Sequence, residues 1–441
     1  MSFRDFVQGE TTTVKIGKPV SKRLEASGIL KALDGSPVIF DDIKESDFRV
    51  SGNVFSSKEL VAKYFGIRPS ELIPKLINAI ENPSKPEVVG DAPCQEAEME
   101  PDLDKLPILF HCDKDGGNYI SSGVVIAKDA ESGQNMDFHR MMQIGKNKLS
   151  VRVVSKRHFD QFLNKNKKMP MAVCVGNGAN VMLAAATSVA MGQDELEIAN
   201  TLEPLKVTKA KTFDAYIPAD CEFVLEGTID LEEKADEGPF VDLTETYDKV
   251  RQEPVFTVTK ITHRKDAIWQ ALLPGALEHK VLMGMPREPT IFKQVRDAGI
   301  DCLDVSVNPG GCSWLHAIVK INKKDEGDGK KALEAAFKGH SSMKHCFVVD
   351  SDIDIYEPLE VEWAMATRFQ GDSDIFVKGK EPGSSLDPSG EPETKLTYKM
   401  GFDLTKPVKE TTLAGTASGH SQGKNYEKAE FPKVNIKEFV D

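Results

Sequence analysis

The chain has 441 residues, too many for one small core, so two or three domains are expected. Its formal charge of −13 and the lack of a basic run argue against a nucleic-acid partner. No stretch of roughly 18 apolar residues, no secretory pattern in MSFRDFVQGE and no CxxC among seven scattered cysteines lead to an expected cytoplasmic protein without a membrane span.

In chain order, SPVIF (Ser36–Phe40) reads as a strand after the turn LDGS. SSKELVAKYFG reads as a helix capped by Ser56 or Ser57 and stopped by Gly66. SELIPKLINAIENP reads as a second helix, with Leu72, Leu76, Ile77 and Ile80 on one stripe and Pro74 in its first turn. The acidic, proline-bearing stretch from Lys85 to Pro107 suggests a linker. From Pro107 to Leu273 the pattern is mostly short strands, interrupted by a helix around Val181 to Met191. That spacing suits a barrel or sandwich. After Gly275 helices at EPTIFKQVRDAG, KKALEAAFKG and EPLEVEWAMATRF alternate with strands LHAIVKI and HCFVVD, which predicts a separate α/β domain. The stretch from Lys378 to Asp441, rich in Gly, Pro, Ser and Lys, suggests a long excursion.

Several residues in this frame suit chemistry. In NMDFHRMMQIGKNKLSVRV (Asn135–Val153), the turn IGKNK joins two runs as a hairpin, with Gly145 and Asn147 placed for unusual φ. Leu149, Val151 and Val153 share one face; Arg152 lies on the other with Ser150 and Val154. Asn135, His139 and Arg140 precede the hairpin, and on composition alone read as solvated groups at a strand start. Arg157 and His158 follow it. Arg140, Arg152 and Arg157 together suit an anion, because guanidinium forks match phosphate and carboxylate. Glu226 lies mid-strand in FVLEGTIDL, where an unpaired buried acid is costly, so it is either exposed or holding a cation. Asn, His and Glu together suit Mg²⁺ or Mn²⁺ better than Zn²⁺. ADEGPFVDLTETYD places Glu237, Asp242, Glu245 and Asp248 around a Gly-Pro turn, either an active-site loop or a solvated one. Glu278 and His279 follow a Pro-Gly turn, a place for a desolvated carboxylate that acts as acid or base. Asp350, Asp352 and Asp354 have DxDxD spacing without the glycine and distal glutamate of a calcium loop, and read as a strand end feeding a helix.

Taken in order, DGSPVIF, DGGNYISSGVVIAKD, NMDFHRMMQIGKNKLSVRVVSKRH, FVLEGTIDL, EGPFVDLTETY, PGALEHKVLMG and DIDIYEPLEVEWAMATRF resemble the UbiD family of prenylated-flavin-dependent decarboxylases, with the compact archaeal members most alike. The resemblance implies an α/β fold with an N-terminal α/β segment (1–106), a central split β-barrel that binds flavin (107–275), a connecting helix (276–300) and a C-terminal α/β dimerisation domain with its tail (301–441). It implies prenylated FMN bound by Phe138, His139, Arg140, Val151, Arg152, Val153, Arg157, His158 and Lys399. It implies Mn²⁺ at Asn135, His158 and Glu226, with K⁺ as a further candidate ion. Arg140 falls at the position that holds the substrate carboxylate and Glu278 at the proton-transferring acid, with Glu237 or Asp242 completing the acid–arginine network. The Glu278-His279 pair and His139 depart from the family pattern.

The implied reaction is non-oxidative decarboxylation of an α,β-unsaturated acid. The favoured substrate is trans-anhydromevalonate 5-phosphate, giving isopentenyl phosphate in the archaeal mevalonate route. An aromatic acid such as a 4-hydroxybenzoate derivative is the alternative, and a non-catalytic flavin-binding protein the alternative of another class. A flavin prenyltransferase as cofactor supplier and a homodimer or higher homo-oligomer are the implied partners.

Overall fold

The computed structural model describes residues 1–408, 428–429, 431–432 and 434–435. At its centre a nine-stranded sheet contains Tyr119–Ile120, Val124–Asp129, Gly133–Phe138, Met141–Gly145, Lys148–Val151, Lys168–Val175, Phe223–Glu237 and Arg251–His263, with Ala97–Met99 on the last of these. Across the sheet the order is 119–120, 141–145, 148–151, 251–263, 223–237, 168–175, 124–129, 133–138. Strands 133–138 and 141–145, neighbours in sequence, therefore lie far apart in this order, and 133–138 is an edge.

Both faces of the sheet are covered. Val124, Ile126, Ala172, Cys174 and Val224 enter one core, while Val125, Ala127, Met171, Val173 and Leu225 enter the other. Two-sided burial explains why these strands read as unbroken apolar runs rather than alternating ones.

The N-terminal helix Lys58–Phe65 is capped by Ser57, whose side chain accepts from the Leu60 N–H at 3.2 Å, and ends at Gly66 in the left-handed region. Helix Leu72–Glu81 follows, with Pro74 in its first turn. Strand Ile268–Ala271 joins a four-stranded sheet with 14–16, 38–40 and 49–52, pairing parallel with Arg49–Gly52. The C-terminal sheet runs in the order 302–306, 316–321, 345–350, 396–403, 375–382, with helices Asp328–Gly339 and Pro358–Arg368.

Four expectations are corrected. The stretch expected as a linker is integral, because Glu87–Val88 pairs with Lys206–Lys209 and Ala97–Met99 with the long strand 251–263. The expected helix around 181–191 occupies Ala179–Ala185, and a second, unforeseen helix covers Glu195–Leu202. The hairpin at 141–151 forms, but neither Gly145 nor Asn147 has positive φ. A register shift at Lys148/Leu149 absorbs the turn, and Asn147 bridges to Val258 through its side-chain amide (3.1 Å) and its carbonyl (2.8 Å). The expected C-terminal excursion begins instead with two paired strands, 375–382 and 396–403; its part at 409–427 lies outside the described residues.

Candidate active site

Arg140 leaves the junction between strands 133–138 and 141–145 and meets three carboxylates. Nε and Nη2 donate to the two oxygens of Glu237, both at 2.9 Å, a bidentate fork. Nη2 also donates to Asp248 at 2.9 Å, and Nη1 to Asp242. The guanidinium lies over the Phe240 ring, 4.8 Å from its centroid. Burial opposes its charge, but the three acids outweigh this and push its pKa up. Tyr119 donates its hydroxyl to Glu237 at 3.1 Å, and Arg251 forks onto Asp248 at 2.5 and 2.7 Å.

Local folding places these acids. Glu237 ends the long strand 223–237; a Gly238-Pro239 turn and the small hairpin Phe240–Val241/Tyr247–Asp248 then present Asp242 and Asp248. Loop 115–118 braces the turn. The Gly116 N–H donates to the Pro239 carbonyl at 2.8 Å, and a Cβ at Gly116 would stand 2.2 Å from the Gly238 oxygen. Asp115 accepts from the Cys112 and Val241 N–H groups. Glu245, the fourth acid of this loop, turns away to Lys280 at 2.5 Å.

Glu278 and His279 open helix Leu277–Gly284 and point differently. Glu278 is fully buried; one oxygen accepts from the Phe55 N–H at 3.0 Å, and Oε2 has no partner. Burial raises its pKa to about 7 against the backbone N–H groups of residues 53–55, which lower it. Its contacts are thus with loop 53–55. The residue of this pair that feels Arg140 and Asp242 is His279, whose Nδ1 accepts the Gly275 N–H at 3.1 Å.

The edge strand 133–138 holds a second group of polar residues. His139 donates Nδ1–H to the Arg152 carbonyl at 2.8 Å, since a carbonyl only accepts, and places Nε2 2.9 Å from Asp137. Burial disfavours its charge, but Asp137 and that carbonyl outweigh it and raise its pKa. His139 therefore ties strand 133–138 to the end of strand 148–151, a structural job that the sequence did not suggest. Arg152 is itself paired with Glu253 at 2.8 Å. Val151 and Val153 are buried in the core, so they offer a ligand backbone rather than side chain.

The three residues expected to share a metal do not converge. Glu226 pairs across the sheet with Ala172, then Ile126, then Met136, so it lies three strands from the edge, on the opposite face from Asn135, which pairs with Ala127. Its carboxylate is buried and accepts from Lys211 N–H (2.9 Å), Thr212 N–H (2.7 Å) and the Thr212 hydroxyl (2.7 Å). Glu226 is a satisfied structural acid. The acid beside Asn135 is Glu195, at the start of helix Glu195–Leu202, which accepts the Met136 N–H at 2.9 Å. Burial, with Asp137 and Asp194 nearby, raises its pKa to about 8. Asn135 is buried and its amide nitrogen has no partner. One signal for Glu195 existed in the sequence: it occupies the same stripe as Ile198, Ala199 and Leu202, where an apolar residue is the norm. His158 opens helix His158–Asn166, which packs near strand 133–138.

Lys399 lies on strand 396–403 of the C-terminal sheet, buried, and donates to the Ser341 carbonyl. The charges of Lys399 and Arg157 both reach His340, so two of the expected cofactor residues share one neighbourhood.

Three family models cover nearly the whole described chain. They are the N-terminal (residues 5–80), Rift-related (87–277) and C-terminal (280–404) domains of 3-octaprenyl-4-hydroxybenzoate carboxy-lyase. An anhydromevalonate phosphate decarboxylase of Methanothermobacter thermautotrophicus is 39% identical over 92% of this chain and 96% of its own length. One from Methanosarcina mazei is 40% identical with the same coverage. The solved structure of HmfF from Pelotomaculum thermopropionicum in complex with FMN, described as a UbiD-class enzyme, matches with a TM-score of 0.93 at 32% identity, over 100% of both chains. An evolved dimeric form of HmfF in complex with prenylated FMN matches at 0.89 and 30% identity, again over 100% of both chains. With three domains in register and relatives aligned over nearly their full length, the chain belongs to the UbiD family of carboxy-lyases.

Proposed function

We propose that this carboxy-lyase decarboxylates trans-anhydromevalonate 5-phosphate to isopentenyl phosphate in the cytoplasm. The observation that carries the reading is the preorganised Arg140: four of its five N–H donors are fixed by Glu237, Asp242 and Asp248, leaving one at Nη1 for a carboxylate. The names of the archaeal relatives support the choice of substrate.

The residues suit the cofactor and ion that the family implies. Prenylated FMN would be held by Phe138, the backbone of 151–153, Arg157, His158 and Lys399, with Arg140 and the His139 clamp at its edge. Mn²⁺ would sit at Asn135, through its amide oxygen, His158 and Glu195, whose carboxyl, crowded by two other acids, favours a divalent cation. K⁺ is a second ion to test there. When bound, prenylated FMN supplies the electron sink for loss of CO₂. The separation of strand 133–138 from 141–145 in the order of the central sheet supports reading it as a split barrel that would receive the flavin. The domain limits proposed are 1–106, 107–275, 276–300 and 301–441, with the last pairing two copies. A flavin prenyltransferase supplies the cofactor.

Within this frame Arg140 orients the carboxylate, and Glu237, locked by Tyr119, keeps the guanidinium in place. Glu278, at the position the family resemblance gives to the proton-transferring acid, is one candidate donor: its carboxyl is buried with one free oxygen, though its contacts lie with loop 53–55 and not with Arg140. Asp242 is a second candidate donor, favoured by its direct contact with Arg140. The test is CO₂ release by the enzyme reconstituted with prenylated FMN, comparing trans-anhydromevalonate 5-phosphate with a 4-hydroxybenzoate-type acid. Turnover of the aromatic acid alone would sink the proposed substrate, and no flavin uptake at all would favour a non-catalytic protein.

A further inference from the structure

Where the helical run 277–287 meets the C-terminal domain, cations gather with no carboxylate at ion-pair distance among the described residues. Arg287 lies at the end of the short 3-10 turn Met285–Arg287 that joins helix Leu277–Gly284 to helix Glu288–Asp297. Its guanidinium lies over the Trp314 ring, 5.4 Å from the centroid. Nη1 donates to the Ser188 hydroxyl at 3.1 Å and Nη2 to the Ala186 carbonyl, both neutral acceptors. Nε is buried with no acceptor. His340 packs edge-on against the same Trp314 ring at 4.7 Å and donates Nε2–H to the Trp314 carbonyl at 2.8 Å. The next residue, Ser341, accepts from Lys399.

Among the described residues, Arg157, Arg287 and Lys399 have no carboxylate at ion-pair distance; the acid that Lys399 feels is Glu381. This is unusual in a chain with a net charge of −13. Burial, then the charge of Arg157, pulls the Arg287 pKa down to about 10. Burial, then Arg287, Lys399 and Arg157, holds His340 down at about 3 against the Trp314 carbonyl. A desolvated guanidinium facing other cations is costly unless an anion completes the site.

Two phosphates could complete it, the cofactor's and the substrate's. Arg157 and Lys399 are the groups proposed above for the cofactor. Arg287 instead shares its helical run with Glu278 and His279. It stands eight residues beyond His279, which feels the charges of Arg140 and Asp242.

We infer that Arg287, seated on Trp314 and steadied by Ser188, binds the phosphate monoester of the substrate and selects phosphorylated over unphosphorylated acids. The inference rests on the decarboxylation proposed above.

The test compares holoenzyme and its Arg287→Gln and Arg287→Lys variants on trans-anhydromevalonate 5-phosphate and on the same acid without phosphate. The expected result is a wild-type preference for the phosphorylated acid that shrinks about 30-fold or more in Arg287→Gln, mainly through KM, with Arg287→Lys between. Flavin content stays unchanged. Calorimetry on the cofactor-free protein with isopentenyl phosphate gives a second readout, about 10-fold weaker binding or more in Arg287→Gln. An unchanged preference in an active variant overturns this inference alone, as does loss of flavin together with phosphate selectivity. If Arg287→Gln does not fold, an unchanged preference in Arg287→Lys overturns it. Wild-type enzyme that binds flavin yet turns over neither acid overturns the decarboxylation reading, and the inference with it.

Discussion

Arg140 and Arg287 are both desolvated guanidinium groups stacked on aromatic rings, and their surroundings are opposite. Arg140 has three carboxylates, and its pKa is raised. Arg287 has two neutral acceptors, and its pKa is lowered. An arginine saturated by acids is fixed in place and presents a single remaining donor. An arginine lacking an acid is a binding deficit that an incoming anion fills. The same side chain therefore serves orientation in one place and selection in the other.

Breaking the saturated arginine has the largest expected effect. Arg140→Gln leaves Glu237 buried without its cation, so a loss of about 3–5 kcal/mol of stability, read by urea unfolding, accompanies loss of measurable CO₂ release. Glu237→Gln keeps the shape but weakens the fork, and separates the positioning effect from misfolding through a kcat loss with normal flavin content.

Next comes the proton. Glu278→Gln is expected to cut turnover by about 10²–10⁴-fold while flavin binding persists, and the comparison with Asp242→Asn assigns the donor, since the variant with the larger loss and no solvent-deuterium incorporation into product marks it. The wild-type pH profile follows from the sign of the Glu278 shift. The working form is neutral, so turnover falls as pH rises through about 7, and this limb disappears in Glu278→Gln. The folded protein also binds this proton more tightly than the unfolded chain. Its contribution to stability is therefore full below the unfolded value near 4.5 and is lost as pH rises through about 7.

The smallest effects separate two buried glutamates. Glu195→Gln is expected to lower retained Mn²⁺, measured by elemental analysis after gel filtration, by at least about 10-fold. Glu226→Gln should leave Mn²⁺ unchanged and cost about 1–3 kcal/mol of stability, because its three donors lose a charged acceptor. The reverse pattern would restore Glu226 to the metal.

Much of the fold was legible because its signals are local. Ser57 and Gly66 announce a helix, and Pro358 starts another. The ion site was not fully legible, because which face a strand residue takes depends on register across several strands. Asn135 and Glu226 suit one ion chemically, yet sheet pairing puts them on opposite faces. From the residues alone the Arg140 network was a set of acids around a Gly-Pro turn, and the family resemblance added Glu237 or Asp242 as a partner of Arg140; that both of these and Asp248 close on it together required the 240–248 hairpin. Arg287 carried no sequence signal, since a lone arginine reads as solvated until the absence of a carboxylate around it can be seen.

The most direct test of the central claim is CO₂ release from trans-anhydromevalonate 5-phosphate by the protein reconstituted with prenylated FMN and Mn²⁺, run beside Arg140→Gln. The account predicts stoichiometric CO₂ and isopentenyl phosphate from the wild type and neither from the variant. Equal release from both, or none from a fully flavin-loaded wild type, would contradict it.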